Sequence, residues 1–338
     1  MTPRQRLEML QLLSVEAIRD AILQVVSTIV DGAYLKEIEA AVAANDPDRI
    51  YLLLMLNEAA FRPVYQVLQD RYEQFGDFTG QTYPTRLITP SGRVTFMFNA
   101  RSASAETWLK TESSKLVTAI QDDVRVNIRN TIADGLARGQ NPRATALDIV
   151  GNVDPQTGKR VGGIIGLTTG QEAWVRSTRA KLETLDPAYF ELGLRDKRFD
   201  PTVQRAIDTG KPLPKETVDK LIGRYKASAL KFRAEQIGRT ETLSSLSASE
   251  YEAVQQVVKM GAAQPNDIIR EWDDVGDNRT RHSHHLMHGQ KVGLDEPFVS
   301  PVTNAMLMFP GDSSLGAPAS EIVGCRCRVK TIVKWRTR

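Results

Sequence analysis

Apolar residues spaced three and four apart govern the first three quarters of this chain, and that spacing limits most of it to helices packed on helices. Leu10, Leu13, Ala17, Ala21, Val25, Val26 and Ile29 form one stripe, which Asp31-Gly32 ends. The spacing predicts helix over most of residues 4–75. One helix starts at Asp46-Pro47, where the carboxylate can accept free N–H groups and proline suits the first turn. Pro63 is expected to kink or break that stretch. Residues 76–92 read as a connector rich in Gly, Thr and Pro, and 93–99 (RVTFMFN) as a short strand. Helical spacing returns over 104–262. It is interrupted near Gly139, across Gly151 to Gly166, at Pro201 and at Pro212 to Pro214. Gly223 and Gly238 leave open whether 214–262 is one helix or two.

After Gly261 the helical spacing gives way to short apolar runs separated by turns: 268–272, 291–294, 304–309 and 325–335. The expected fold is mainly α with a C-terminal α+β module: a helical N-terminal region, long central helices and a small mixed sheet at the C-terminus. The expected domains are 1–80, a helical region that docks a partner, 81–261, a helical body, and 262–338, the α+β module. The longest apolar runs, such as Ile50 to Leu54, are too short to cross a bilayer, which takes about 18 residues or more. Glu8, Glu16, Arg19 and Asp20 would interrupt the apolar stretch of a signal peptide, so a cytoplasmic protein is expected.

Charge is segregated along the chain. Residues 1–80 carry a net charge of −5 and the remainder +8. From Cys325 onward there are six basic residues and no acidic ones: Arg326, Arg328, Lys330, Lys334, Arg336 and Arg338. These six are the candidate contacts to double-stranded DNA, whose phosphates they could neutralise. The opposing reading is a solvated surface of one sign.

All four histidines, His282, His284, His285 and His288, and both cysteines, Cys325 and Cys327, fall in the last module. In a closing strand Cys325 and Cys327 share the buried face, while Arg326 points the other way. Thiols two residues apart on one face are badly placed for a disulfide. They are either core side chains or metal ligands. If His284 and His288 occupy one helical turn, they complete a tetrahedral set with the two thiolates, and the cofactor would be a structural zinc. No catalytic residue is assigned. G-x-S-x-G and G-K-[ST] are absent, and the glycines at 158, 162, 163 and 166 read as a turn into a helix capped by Thr168 with Gln171. Asp273, Asp274, Asp277 and His284 could hold a divalent ion and activate water as in a metal-dependent nuclease, though their spacing matches no nuclease signature.

Five segments occur in a particular order: Arg239-Thr240-Glu241-Thr242, Glu271-Trp272, Asp277 to His284 with Gly289 beyond, Pro310-Gly311-Asp312, and Glu321 to Cys325-Arg326-Cys327. That order resembles the phage Mu F-like head-morphogenesis family. The similarity runs from about residue 162 to 333, is looser back to 117 and does not reach the N-terminal helices. The family often has an acidic residue where His288 stands and Asn where Gly324 stands, which argues against a family-wide ligand at 288. The resemblance implies a structural minor head protein of a tailed phage, at or near the portal vertex, supporting head assembly and DNA packaging or delivery. Its partners would be the portal protein and other head proteins, with several copies at the portal and no membrane. It would be found in host cytoplasm during assembly and then in the virion. The alternatives are a virion-carried metal-dependent nuclease or toxin-like enzyme, and a non-specific DNA-binding protein. Arg239, Glu241, Asp277, Arg279, Arg281, Asp312 and Glu321 are expected to form a structural polar network that fixes the loops of the module.

Overall fold

A computed structural model describes residues 1–336. The helices are α1 (Pro3–Asp31), α2 (Leu35–Ala43), α3 (Pro47–Leu53), α4 (Arg62–Gly80), α5 (Ala103–Ala137), α6 (Pro142–Val150), α7 (Thr169–Glu183), α8 (Asp200–Thr209), α9 (Lys215–Lys259), α10 (His282–Met287) and α11 (Ala319–Ile322). The strands are β1 (Leu87–Thr89), β2 (Gly92–Val94), β3 (Asn152–Val153), β4 (Arg160–Val161), β5 (Ile268–Asp273), β6 (Lys291–Val292), β7 (Phe298–Val299), β8 (Met306–Leu307) and β9 (Arg328–Val333). The chain is mainly helical with an α+β module at the C-terminal end; among the described residues every sheet pairing is antiparallel, so the C-terminal sheet is not the mixed one expected.

Local chemistry accounts for the boundaries. Asp46 caps α3 by accepting from the Arg49 N–H at 2.9 Å. Thr168 and Gln171 form a reciprocal capping box at the start of α7. Pro63 falls in the first turn of α4, so it begins a helix instead of breaking one, because its missing N–H costs nothing there. The stretch from 215 to 259 is one helix of 45 residues.

The strand expected at 93–99 is mostly not one. β1 and β2 form a hairpin that ends at Val94, and residues 95–99 are irregular. Aromatic packing explains the departure. A Cβ on Gly76 would sit 2.1 Å from the Phe98 ring, and one on Gly80 would sit 2.8 Å from the Phe96 ring. The glycine face of α4 receives both rings, and seating them overrides strand pairing.

The chain divides into two compact units that are discontinuous in sequence. One comprises 1–19, 64–113 and the residues from Glu235 onward, and the other comprises 20–63 and 114–234. The expected partition at 80 and 261 is therefore not how the chain packs. Residues 1–80 divide between the units within α1 and at the start of α4, and α5 and α9 likewise contribute residues to both.

In the second unit, Leu167, Val175, Leu182, Tyr189, Val203 and Val218 form an apolar core. Its polar ties run to backbone carbonyls and half-buried acids. The Asn127 amide donates to Leu167 O (2.8 Å), Gln171 to Ala229 O (2.9 Å), Arg233 to Asp123 (2.8 Å) and Lys226 to Asp148 (2.9 Å). These bonds satisfy groups that would otherwise be costly to bury.

In the first unit, every residue of α9 from Thr242 to Ser249 is buried. A helix buried on all sides needs small side chains so that neighbours can approach, and this stretch supplies Thr242, Ser244, Ser245, Ser247, Ala248 and Ser249 around Leu243 and Leu246. A Cβ on Gly238 would sit 2.7 Å from the Val15 carbonyl of α1, so the two backbones meet there. The C-terminal sheet has the order β6-β5-β9, with Ile268 opposite Val333 and Trp272 opposite Val329. Alternation along β5 buries Ile268, Arg270 and Trp272. Arg270 is almost fully buried. Its Nε donates to Gly293 O at 3.0 Å, and its two terminal nitrogens donate to the carbonyls of Glu296 and Met308. The guanidinium lies over the Tyr251 and Phe298 rings.

Two substitutions test this packing. Gly238→Val should lower stability by about 1–3 kcal/mol, read as a lower thermal midpoint, because the backbones must separate. Arg270→Met should cost on the order of 3 kcal/mol in urea unfolding, since three buried carbonyls lose their donor. Arg270→Lys should be nearly as damaging, because one ammonium lacks the planar fork that reaches all three.

Candidate functional site

The C-terminal module places a buried histidine against the two cysteines. His284 Nδ1 lies 3.4 Å from Cys325 Sγ and 3.4 Å from Cys327 Sγ. Both thiols are free and buried, and their neighbours include Trp272, Met287, Phe298 and Leu307. The Trp272 ring meets the imidazole edge to face, with centroids 5.2 Å apart. Among the described residues, His284, Cys325 and Cys327 are the one group of His, Cys, Asp and Glu side chains whose donor atoms converge closely enough for a metal ion.

On the far side of the ring, His284 Nε2 lies 2.9 Å from Glu321 Oε2. Glu321 also accepts from Ser283 (2.9 Å), Ser300 (3.3 Å) and Thr303 (2.7 Å). Burial pushes the Glu321 carboxyl up, but the Thr303 and Ser283 hydroxyls, the imidazole and Ser300 together hold it below the usual carboxylate range. Glu321 is therefore a buried anion that orients His284. The hydrogen bond from Cys327 dominates the Cys325 thiol. With His284 opposing desolvation, it holds Cys325 well below the ordinary thiol range. Cys327, as the donor in that bond and buried, is pushed up.

His288 does not join this group. α10 ends at Met287, so His288 leaves the helix and loses its alignment with His284. It is half exposed, with Nδ1 3.0 Å from Asp274 Oδ1. His285 Nδ1 is 2.5 Å from the other oxygen of Asp274. Asp274 therefore holds two exposed histidines, and His284 faces away to the sulfurs. The four residues a nuclease would need are not assembled as one site.

The expected polar network resolves into separate clusters. Asp277 is gripped by both terminal nitrogens of Arg326, accepts from the Arg279 N–H (3.1 Å) and Thr280 Oγ1 (3.2 Å), and is held well below the usual carboxylate range chiefly by the Arg326 fork. The Arg279 side chain is exposed, with Nε 3.8 Å from Asp277. Arg281 donates to Val323 O. Asp312 is buried and accepts from the N–H groups of Met308 and Ser314, both at 2.8 Å, so it closes its own loop and does not meet Glu321. Arg239 is an exposed partner of Glu235 at 2.6 Å. Glu241 sits half-buried on α9.

Two of the candidate DNA contacts are already engaged. Arg326 holds Asp277, and Arg328 donates to Gln11 Oε1 at 2.8 Å. Lys330 and Lys334 are exposed, as is Arg336, which has partners within the protein. Arg338 lies outside the described residues. Arg270 escaped sequence reasoning, though it could have been found by noting that alternation in IIREWD puts an arginine between two core residues. Thr240, whose Oγ1 accepts from the Gly324 N–H at 3.1 Å, was singled out only as part of the Arg239 to Thr242 segment, with no role of its own.

Arg328 also faces Glu250, whose carboxyl burial pushes up to about 7 against the pull of that arginine. An acid raised on folding binds its proton more tightly when folded, so its contribution to stability falls as pH rises from about 4.5 and the loss is complete above about 7. Glu250→Gln should therefore match the wild type near pH 4 and exceed it by up to about 3 kcal/mol near pH 8, measured by denaturant unfolding across pH.

Four of the five segments whose order suggested a family are joined in space: Thr240 to Gly324, Trp272 to His284, Asp277 to Arg326, and Ser283 to Glu321; the fifth is reached by Ser244, two residues beyond the first segment, whose hydroxyl donates to Gly311 O at 3.0 Å. No curated protein and no solved structure matches the chain. The family model described as Phage Mu protein F like protein matches residues 197–330, which span α8, all of α9 and most of the module. Over residues 197–330, then, the chain is similar to the Phage Mu F-like family, the one that the order of its residues resembles.

Proposed function

We propose that the protein is a structural minor head protein of a tailed phage, located at or near the portal vertex, that supports head assembly and DNA packaging or delivery. The observation that carries this reading is the family match over 197–330, together with the joining of its diagnostic segments into one set of contacts. Its partners are the portal protein and other head proteins, several copies act at the portal, and the protein passes from host cytoplasm into the virion. No helix of the described residues is long and apolar enough to cross a membrane, which fits that route. The polar side chains of the module support a structural role, because Glu321, Asp277 and Asp312 are all occupied in bracing loops.

Docking is assigned to the first helix. Residues 1–19 pack in the same compact unit as the module, so they cannot be deleted as an independent arm. α1 nevertheless exposes Met9 (48%), Leu12 (56%) and Leu13 (48%), an apolar strip for a head protein to cover. DNA contact falls to the exposed Lys330 and Lys334, with Arg279 beside them in chemistry though not in sequence.

The double substitution Leu12→Glu with Leu13→Glu should leave the circular dichroism melt unchanged and reduce incorporation into proheads at least tenfold. Unchanged incorporation would remove α1 as the docking helix. Purified protein should leave supercoiled plasmid intact with Mg²⁺, Mn²⁺ or Zn²⁺. Nicking that disappears in His284→Ala would replace the structural reading with an enzymatic one.

A further inference from the structure

We propose that His284, Cys325 and Cys327 together bind one thiophilic divalent cation, zinc by its donor set, with Glu321 as the outer partner of the imidazole and solvent as the fourth ligand. The inference is independent of the role in the phage head.

The donor triangle has the required size. Zinc bonds to sulfur at about 2.3 Å and to imidazole nitrogen at about 2.0–2.1 Å, so a tetrahedral ion places N and S about 3.5 Å apart. Nδ1 stands 3.4 Å from each sulfur, and all three donor atoms lie within 4.8 Å of one another. The cation would draw the donors together without rearranging them.

The imidazole is also presented by the correct nitrogen. Nδ1 is the ring nitrogen that faces both sulfurs, and the Glu321 carboxylate lies 2.9 Å from Nε2 at the other edge of the ring, where a neighbouring anion favours the proton once Nδ1 binds a cation. A carboxylate beside the outer nitrogen of a ligand imidazole is the kind of partner that orients histidine ligands in metal sites generally. Ser283, Ser300 and Thr303 in turn hold the carboxylate, so the outer shell is complete. Two thiolates and an imidazole favour zinc over magnesium or calcium, which take oxygen ligands.

The fourth position follows from the surroundings. His284, Cys325 and Cys327 all border a cavity of about 120 Å³ that Arg279, Thr280, Arg281 and Arg326 also line. That volume holds a few waters, each with a share of about 30 Å³ in the liquid, and the guanidinium groups offset the negative charge of two thiolates. His288 is excluded because it is half exposed and held by Asp274. The ion would join α10 to the segment entering β9, which are about forty residues apart in the chain. Its affinity would therefore add to the stability of the module.

The test uses the full chain purified without chelator. Elemental analysis should find one equivalent of zinc in the wild type and in His288→Ala, and at least tenfold less in His284→Ala and Cys325→Ser. Glu321→Gln should still bind one equivalent, with affinity reduced about 10–100-fold. Because the ligand variants could misfold, Co²⁺ is also titrated into chelator-treated wild type. A sulfur-to-cobalt charge-transfer band saturating at one equivalent supports the site. Absence of retained zinc together with absence of that band overturns it. Loss of zinc in His288→Ala equal to that in His284→Ala overturns the ligand assignment.

Discussion

The absence of any exposed face on α9 between Thr242 and Ser249 is the constraint on which the first unit depends. Eight consecutive buried positions force neighbours to approach from every side, and only short side chains leave room for them. Ser244 meets the Gly311 carbonyl, Leu243 reaches the core with Trp272 and the cysteines, Leu246 packs with Leu7 and Phe75, and Ala248 packs with Tyr72 and Leu109. Segments far apart in sequence therefore share one helix as their support. The module after residue 261 takes its position from that helix and is not an appended domain.

The module itself is organised around two buried or half-buried acids with different tasks. Glu321 gathers hydroxyls and one imidazole in the interior, and Asp277 gathers a guanidinium, a hydroxyl and a backbone N–H nearer the surface. Each is fully engaged, which is why both remain ionised despite burial or crowding. They meet the chain at adjoining residues: His284 touches Cys325 and Cys327, and Asp277 grips Arg326 between them.

Much of this was legible in the sequence because it is local chemistry. The helix stop at Asp31-Gly32, the caps at Asp46 and Thr168, and the inward alternation of the last strand depend on neighbours a few residues away. The convergence of His284 with the cysteines was legible because these residue types occur nowhere else in the chain. His288 was misassigned because helix length decides whether positions four apart align, and α10 stops one residue too early. Arg326 and Arg328 read as free cations because their partners, Asp277 and Gln11, are 49 and 317 residues away. The strand expected at 93–99 failed for the same reason: the glycines that seat Phe96 and Phe98 lie on another helix. Contiguous domain boundaries could not be right once α1, α5 and α9 each served two units.

The tripeptide Cys325-Arg326-Cys327 works as a two-sided clip, with sulfurs directed to one segment and the guanidinium to another. Because sidedness in an extended chain changes with every residue, a single insertion or deletion between Gly324 and Arg328 would exchange the two faces. A guanidinium would then enter a pocket built for sulfur, and a thiol would confront the carboxylate of Asp277. The length of this short stretch is thus held more tightly than the chemical identity of most residues around it, and lineages of this protein should tolerate substitution there far better than indels.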